Sequence, residues 1–372
     1  MFRDVATATF NKHAELLYAV LDKSCGSHEP VNLSKHFHEF TLQAIAELGF
    51  GLQMDLIGSE HGHPLDHALD EALSQVFYRV RTPAWIWKLQ QFLDIGGERK
   101  YRQVTREIRR IVSDMVHKSL LQSQSKGPRS EPTNIVQLYI QAMQDDPTDV
   151  ATQLSPETLR DIGIMFVFGG RDATADAFSW LFLMLSRHPR VEQRLREELW
   201  DKVPELMRGE KKALTMDQTQ ALTYLDAVIK ETLRFYPPGP LSMRQAERDT
   251  HLVDGTFIPK GSTVGMSPYV MGRLESIWGD DALEFKPERF IDATTGKPRV
   301  VSPFEFFSFH AGPRVCIGKH FAMLQMKLLI ATLLSRFRLD VLPNDGSYKI
   351  AATLVPKNPV TARIYRADPV DK

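Results

Sequence analysis

Of the two cysteines in the chain, Cys316 sits where a thiol can do chemistry. The segment Phe309-His310-Ala311-Gly312-Pro313-Arg314-Val315-Cys316-Ile317-Gly318 places it between two glycines, two residues after an arginine and just before an apolar helical run. At a helix N-terminus, free backbone N–H groups and the helix dipole stabilise an anion, and so a thiolate. Gly312 permits a tight turn, and Gly318 lets backbone approach closely. Arg314 offers a planar fork to a carboxylate such as a haem propionate. A thiolate presented in this way is a ligand for haem iron, to which it donates electron density that favours O–O cleavage.

Other motifs supply polar groups at fixed spacing. Gly169-Gly170-Arg171-Asp172-Ala173-Thr174 lies inside a long apolar helical pattern. A glycine there costs about 1 kcal/mol relative to alanine. A helix passing over a flat macrocycle gives a reason for two of them, because missing side chains let the backbone come near. Glu231 and Arg234 are i, i+3 neighbours on one helix face. Met1-Phe2-Arg3-Asp4 reads like the middle of a helix. His61, His63 and His67 have a spacing that suits a metal, but they lie in a Gly- and Pro-containing stretch without a cysteine and read as a polar loop.

Taken together, these segments resemble the cytochrome P-450 family. Phe309, Gly312, Arg314, Cys316 and Gly318 match its haem-binding signature F-x-x-G-x-R-x-C-x-G. Glu231 and Arg234 resemble its E-x-x-R pair, and 285–290 (Phe-Lys-Pro-Glu-Arg-Phe) its P-E-R-F segment. Gly169 to Thr174 resembles its oxygen-binding A-G-x-D-T-T. The resemblance covers essentially the whole chain. It implies haem b with Cys316 as axial thiolate and sole metal ligand, and a haem site that also includes Gly169, Gly170 and Ala322. It further implies a core lock of Glu231, Arg234 and Arg289, and Arg244 reaching the second propionate. Asp172 is then the acid of a proton relay.

Ala173 departs from the pattern. A threonine usually follows the acid, and here the hydroxyl comes one residue later, at Thr174. One residue turns a helical side chain by about 100°, so Thr174 does not simply replace it. Three outcomes follow: ordered water carries the proton, oxygen activation leaks peroxide, or the chemistry is one that needs no dioxygen cleavage. The text at 254–261, 271–290 and 324–327 resembles the eukaryotic branch of fatty-acid ω-hydroxylases. That likeness implies a fatty acid or related lipid, hydroxylated near its chain end with dioxygen. Electrons would come from an NADPH-dependent flavoprotein reductase. The alternatives are a haem-thiolate isomerase or dehydratase of lipid hydroperoxides, and a non-catalytic haem-binding product.

The elements that must position these residues are mainly helical. Apolar periodicity predicts helices over 5–21, 33–48, 66–80, 99–121, 134–143, 155–187, 224–235 and 318–336, with a surface loop at 122–133. Short strands and turns fill 240–317, including a hairpin at Asp254-Gly255, and follow again after 336. The expected architecture is one mainly α domain over 1–372 with a minor β part. It is a cytochrome P-450 fold lacking its N-terminal anchor, sheet and first helices, so the chain as it stands is expected to fold and hold haem poorly. No run of about 18 apolar residues is present. Membrane association, on the cytosolic face of the endoplasmic reticulum, belongs to the full-length form. With Lys+Arg and Asp+Glu both at 46, no global field favours nucleic acid. Two cysteines make no disulfide framework.

Overall fold

The structure is a computed structural model that describes residues 2–59, 62–126, 132–145 and 155–367. The first part is a run of helices: α1 (Phe2–Asp22), α2 (Leu33–Phe50), α3 (Pro64–Arg81), α4 (Ala84–Leu93), α5 (Gly96–Lys126), α6 (Ile135–Asp145) and α7 (Pro156–Arg187). Next come α8 (Pro189–Lys202), α9 (Pro204–Met207), α10 (Met216–Ala221) and α11 (Thr223–Phe235). Short α12 (Pro268–Met271) and α13 (Glu275–Trp278) precede the cysteine loop, and α14 (Lys319–Arg336) follows it.

The β part is small and antiparallel. β1 (Val31–Asn32), β9 (Thr361–Arg366) and β6 (Phe337–Val341) form one sheet in that order, with Val31 opposite Ala362 and Leu339 opposite Ile364. β2 (Ser242–Gln245) pairs β5 (Thr263–Met266), and β7 (Tyr348–Ile350) pairs β8 (Leu354–Pro356). β3 (Thr250–His251) and β4 (Phe257–Ile258) flank the expected hairpin, where Gly255 takes φ +87°.

α7 is the axis of the fold. Ser155 caps it by accepting the Thr158 N–H, Pro156 opens its first turn, and Glu157 places a negative charge there. Its 32 residues span about 48 Å. From Thr174 to Leu185 it is buried on every side, while Ile162, Met165 and Phe168 stay exposed further up. His188-Pro189 ends it, since proline disfavours helical backbone before it, and the same proline starts α8. α2 lies antiparallel along α7: Ser34 meets Ser179, Ile45 meets Gly170 and Gly49 meets Phe166. One apolar core gathers α1, α8, α11 and α14 around the lower half of α7, and a second sits between α2, α3, α5, α6 and the upper half.

The structure differs from the sequence expectations in a few elements. α5 continues through 122–126, expected as loop, and the rest of that stretch to 131 lies outside the described residues. Periodicity does not predict α4, α8 or the short α9, α10, α12 and α13. α4 buries none of its side chains and leaves Trp85, Leu89 and Phe92 exposed, so no core-facing stripe marks it. Among the described residues, no helix is long and apolar enough to cross a membrane.

Candidate functional site

The cysteine loop is closed by its own backbone. The Cys316 N–H donates to the Phe309 carbonyl at 2.8 Å, around a 3₁₀ turn over Gly312–Arg314. Gly312 has φ +62°, a left-handed conformation that a side chain would strain. Gly318 caps α14 with ordinary φ, and a Cβ there would lie 3.8 Å from the Cys316 sulfur, an ordinary contact. The close approach expected of Gly318 is therefore mild. Ala322 closes the first turn of α14 by donating to the Gly318 carbonyl. Phe309 packs edge-on to Phe306, and the Lys319 ammonium lies 5.7 Å from its ring centre. Cys316 and Arg314 are both exposed.

Beneath the loop lies a buried ion cluster. Arg234 makes two bonds to Glu231, at 2.7 and 2.8 Å, and both residues are essentially inaccessible to solvent. The Arg289 Nε donates to Glu231 at 3.0 Å, and the Lys286 N–H does so at 2.7 Å. Arg234 also donates to the carbonyls of Gly272, Ala282 and Glu284. The cluster thus ties α11 to the 272–289 segment. Ser308 donates to the Leu233 carbonyl at 2.8 Å and fastens the start of the cysteine loop to the same helix.

The two glycines of α7 do different things. A Cβ on Gly169 would meet nothing within 4 Å, whereas one on Gly170 would come within 2.5 Å of Ile45 Cδ1. Of the two, Gly169 faces open space, and the missing side chain of Gly170 lets α2 pack against α7. Ala173 is half-buried and Thr174 is buried. Asp172 Oδ1 lies 2.8 Å from Arg171 Nη1. Burial raises the Asp172 carboxyl above its usual range, against the charges of Arg171 and His38.

Arg244 folds back onto its own strand, donating to the Met243 carbonyl at 2.8 Å and to Ser242 Oγ at 3.0 Å. It still reaches the cysteine loop electrostatically: burial, then the Arg244 charge, lowers the His310 imidazole. His63 caps α3 by accepting the Leu65 N–H, and His61 lies outside the described residues.

Haem suits these residues. The thiol is exposed, Gly169 leaves space, and Val315, Ile317, Met165, Phe168, Leu241 and Met243 expose apolar surface on the same elements. A flat apolar macrocycle with two carboxylates would cover such surface and meet two arginines.

Sequence reading missed one group. His38 on α2 lies 3.7 Å from Asp172 and 3.6 Å from Asp176, and Asp176 accepts the Thr353 hydroxyl. Burial pushes the Asp176 carboxyl up to about 6, opposed by the His38 charge and that hydrogen bond. No spacing along the chain links residues 38 and 353 to Asp172 and Asp176. The only local signal was a second acid one turn after Asp172.

The cytochrome P450 family model matches residues 3–363. The chain belongs to the cytochrome P450 family. It is 28% identical to cytochrome P450 86B1 of Arabidopsis thaliana over 96% of this chain and 65% of that protein. It is 30% identical to cytochrome P450 704C1 of Pinus taeda, over 95% and 70% respectively. With cytochrome P450 94A1 of Vicia sativa it shares 30% identity, over 87% and 60%. The chain therefore spans roughly two thirds of the length of these curated relatives. The heme domain of cytochrome P450DA superposes with a TM-score of 0.81, covering 100% of this chain and 76% of that one at 20% identity.

Proposed function

We propose that this chain is a haem-thiolate monooxygenase, with residues 1–372 forming one haem-binding domain, and that it hydroxylates fatty acids or related lipids near the chain end. What supports the reading is an exposed Cys316 thiol, held on a loop fastened to the Glu231–Arg234–Arg289 cluster, in a chain of this family. Cys316 would hold the iron of haem b through its thiolate, and Arg314 and Arg244 would offer their guanidinium groups to its two propionates. Phe309, Gly312, Gly318 and Ala322 would shape the loop that presents the thiolate, and Gly169 would leave room for the cofactor beside α7. When bound, the haem supplies dioxygen activation with electrons from NADPH, delivered by a flavoprotein reductase.

The chain's own residues hold and move the proton. Asp172 stores it at a buried carboxyl, and burial makes that carboxyl easier to protonate. Ala173 offers no hydroxyl to pass it on, and Thr174 is buried one residue further round the helix. The same reading carries a place at the cytosolic face of the endoplasmic reticulum membrane. The test is turnover of a fatty-acid panel by haem-loaded protein, with and without NADPH and reductase. Hydroxylated product that depends on both supports the reading. Ala173 also favours a second one: conversion of lipid hydroperoxides without reductase would make the chain an isomerase or dehydratase.

A further inference from the structure

A cavity of about 670 Å³ opens between α2, α3 and α7, lined by His38, Glu39, His63, Asp66, His67 and Arg171 among others. A polar cavity of that size holds water. His38 joins it to the interior. Its Nδ1 lies 2.8 Å from the Ser34 carbonyl oxygen, which can only accept, so Nδ1 carries a proton in either ionisation state of the ring. Nε2 is therefore the exchanging nitrogen. It faces two carboxylates, Asp172 Oδ1 at 3.7 Å and Asp176 Oδ1 at 3.6 Å. A bare lone pair there would be repelled from both sides, so the three groups hold at least one proton between them.

The surrounding charges are defined. Arg171 lies 2.8 Å from both Asp172 and Asp70, and it also pairs with Asp66 of α3. Thr353, just before β8, donates to Asp176. On α2, Lys35 and Glu39 flank His38 and pair with each other at 3.5 Å. His63 and His67 face the same cavity from the α3 side. The His38 side chain is 27% exposed, against 11% for Asp172 and 3% for Asp176, so it is the member of the group that meets solvent.

We propose that His38 is a proton-positioning residue, taking protons from the cavity and passing them to Asp172 and Asp176, one helical step from Ala173. Each transfer moves a single proton: Nε2 gains it from cavity water, releases it to a carboxylate oxygen, and returns to the neutral ring. No electrons move. At 3.6–3.7 Å the final step runs through a small ring rotation or one bridging water. The Asp176 carboxyl, pushed up to about 6 by burial, changes state near neutral pH and can serve as the store. The catalytic consequence rests on the monooxygenase reading, but the shared proton does not.

Infrared spectroscopy of the full chain reads protonated carboxyl groups directly. The expected result is a band that titrates with a midpoint near 6 and is lost in Asp176→Asn. In His38→Gln the opposing charge is gone, and the midpoint rises by on the order of one pH unit. A midpoint left in place by His38→Gln overturns the proposal. In haem-loaded protein with reductase, the pH profile of product formed per NADPH shifts in the same direction in His38→Gln. An infrared shift with an unmoved coupling profile overturns the relay and leaves the monooxygenase reading intact. An infrared shift in a chain that forms no hydroxylated product in any variant overturns the monooxygenase reading and upholds the shared proton.

Discussion

Glu231 and Arg289 lie far apart in sequence, yet the Arg289 Nε donates to Glu231 Oε1 at 3.0 Å, the same oxygen that receives the Lys286 N–H at 2.7 Å. Arg234 grips both oxygens of the same carboxylate, and all three side chains are buried. Removing one member of such a cluster leaves a charge uncompensated away from water. Glu231→Ala should destabilise the chain by about 3–5 kcal/mol. Urea unfolding measures this, and haem retention should fall in step because Ser308 ties the cysteine loop to the same helix.

Gly169 and Gly170 should respond oppositely to alanine. At Gly169 the new methyl meets open space, so Gly169→Ala should stabilise the haem-free chain by about 1 kcal/mol through helix propensity. At Gly170 it meets Ile45, and overpacking should cost about 1–3 kcal/mol. Thermal unfolding of the two variants side by side checks the contrast.

Asp176 makes stability depend on pH. Its folded carboxyl is raised from 3.8 to about 6, so the folded chain binds the proton more tightly than the unfolded one. The contribution is fully present below about pH 4 and is lost as pH rises through 6, a total of about 3 kcal/mol. Asp172 shifts in the same direction and adds to the slope. Asp176→Asn should flatten the profile between pH 4 and 6, as read by denaturant unfolding at a series of pH values.

Restoring a hydroxyl beside Asp172 tests the cost of Ala173. On the monooxygenase reading, Ala173→Thr should raise product formed per NADPH consumed, because a placed hydroxyl can pass on the proton that Asp172 holds. Peroxide release, assayed alongside, should fall correspondingly.

Much of the scaffold was legible because its signals are local. The capped start of α7 at Ser155-Pro156, the stop at His188-Pro189 and the left-handed Gly312 each follow from a few adjacent residues. The i, i+3 spacing of Glu231 and Arg234 was visible, whereas their carbonyl partners at 272–284 follow only from the folded chain. Gly169 and Gly170 look alike in sequence, and only the position of Ile45 separates them. His38 was out of reach for the same reason, since its meaning comes from α2 lying antiparallel against α7.

The central claim is that Cys316 is the thiolate ligand of a haem. The most direct test is the carbon monoxide difference spectrum of the reduced, haem-reconstituted chain, alongside Cys316→Ser. The account predicts the red-shifted Soret band of a thiolate-ligated ferrous carbonyl in the parent chain and its loss in the variant. A parent chain without that band under haem excess, or a variant that keeps it, would contradict the account.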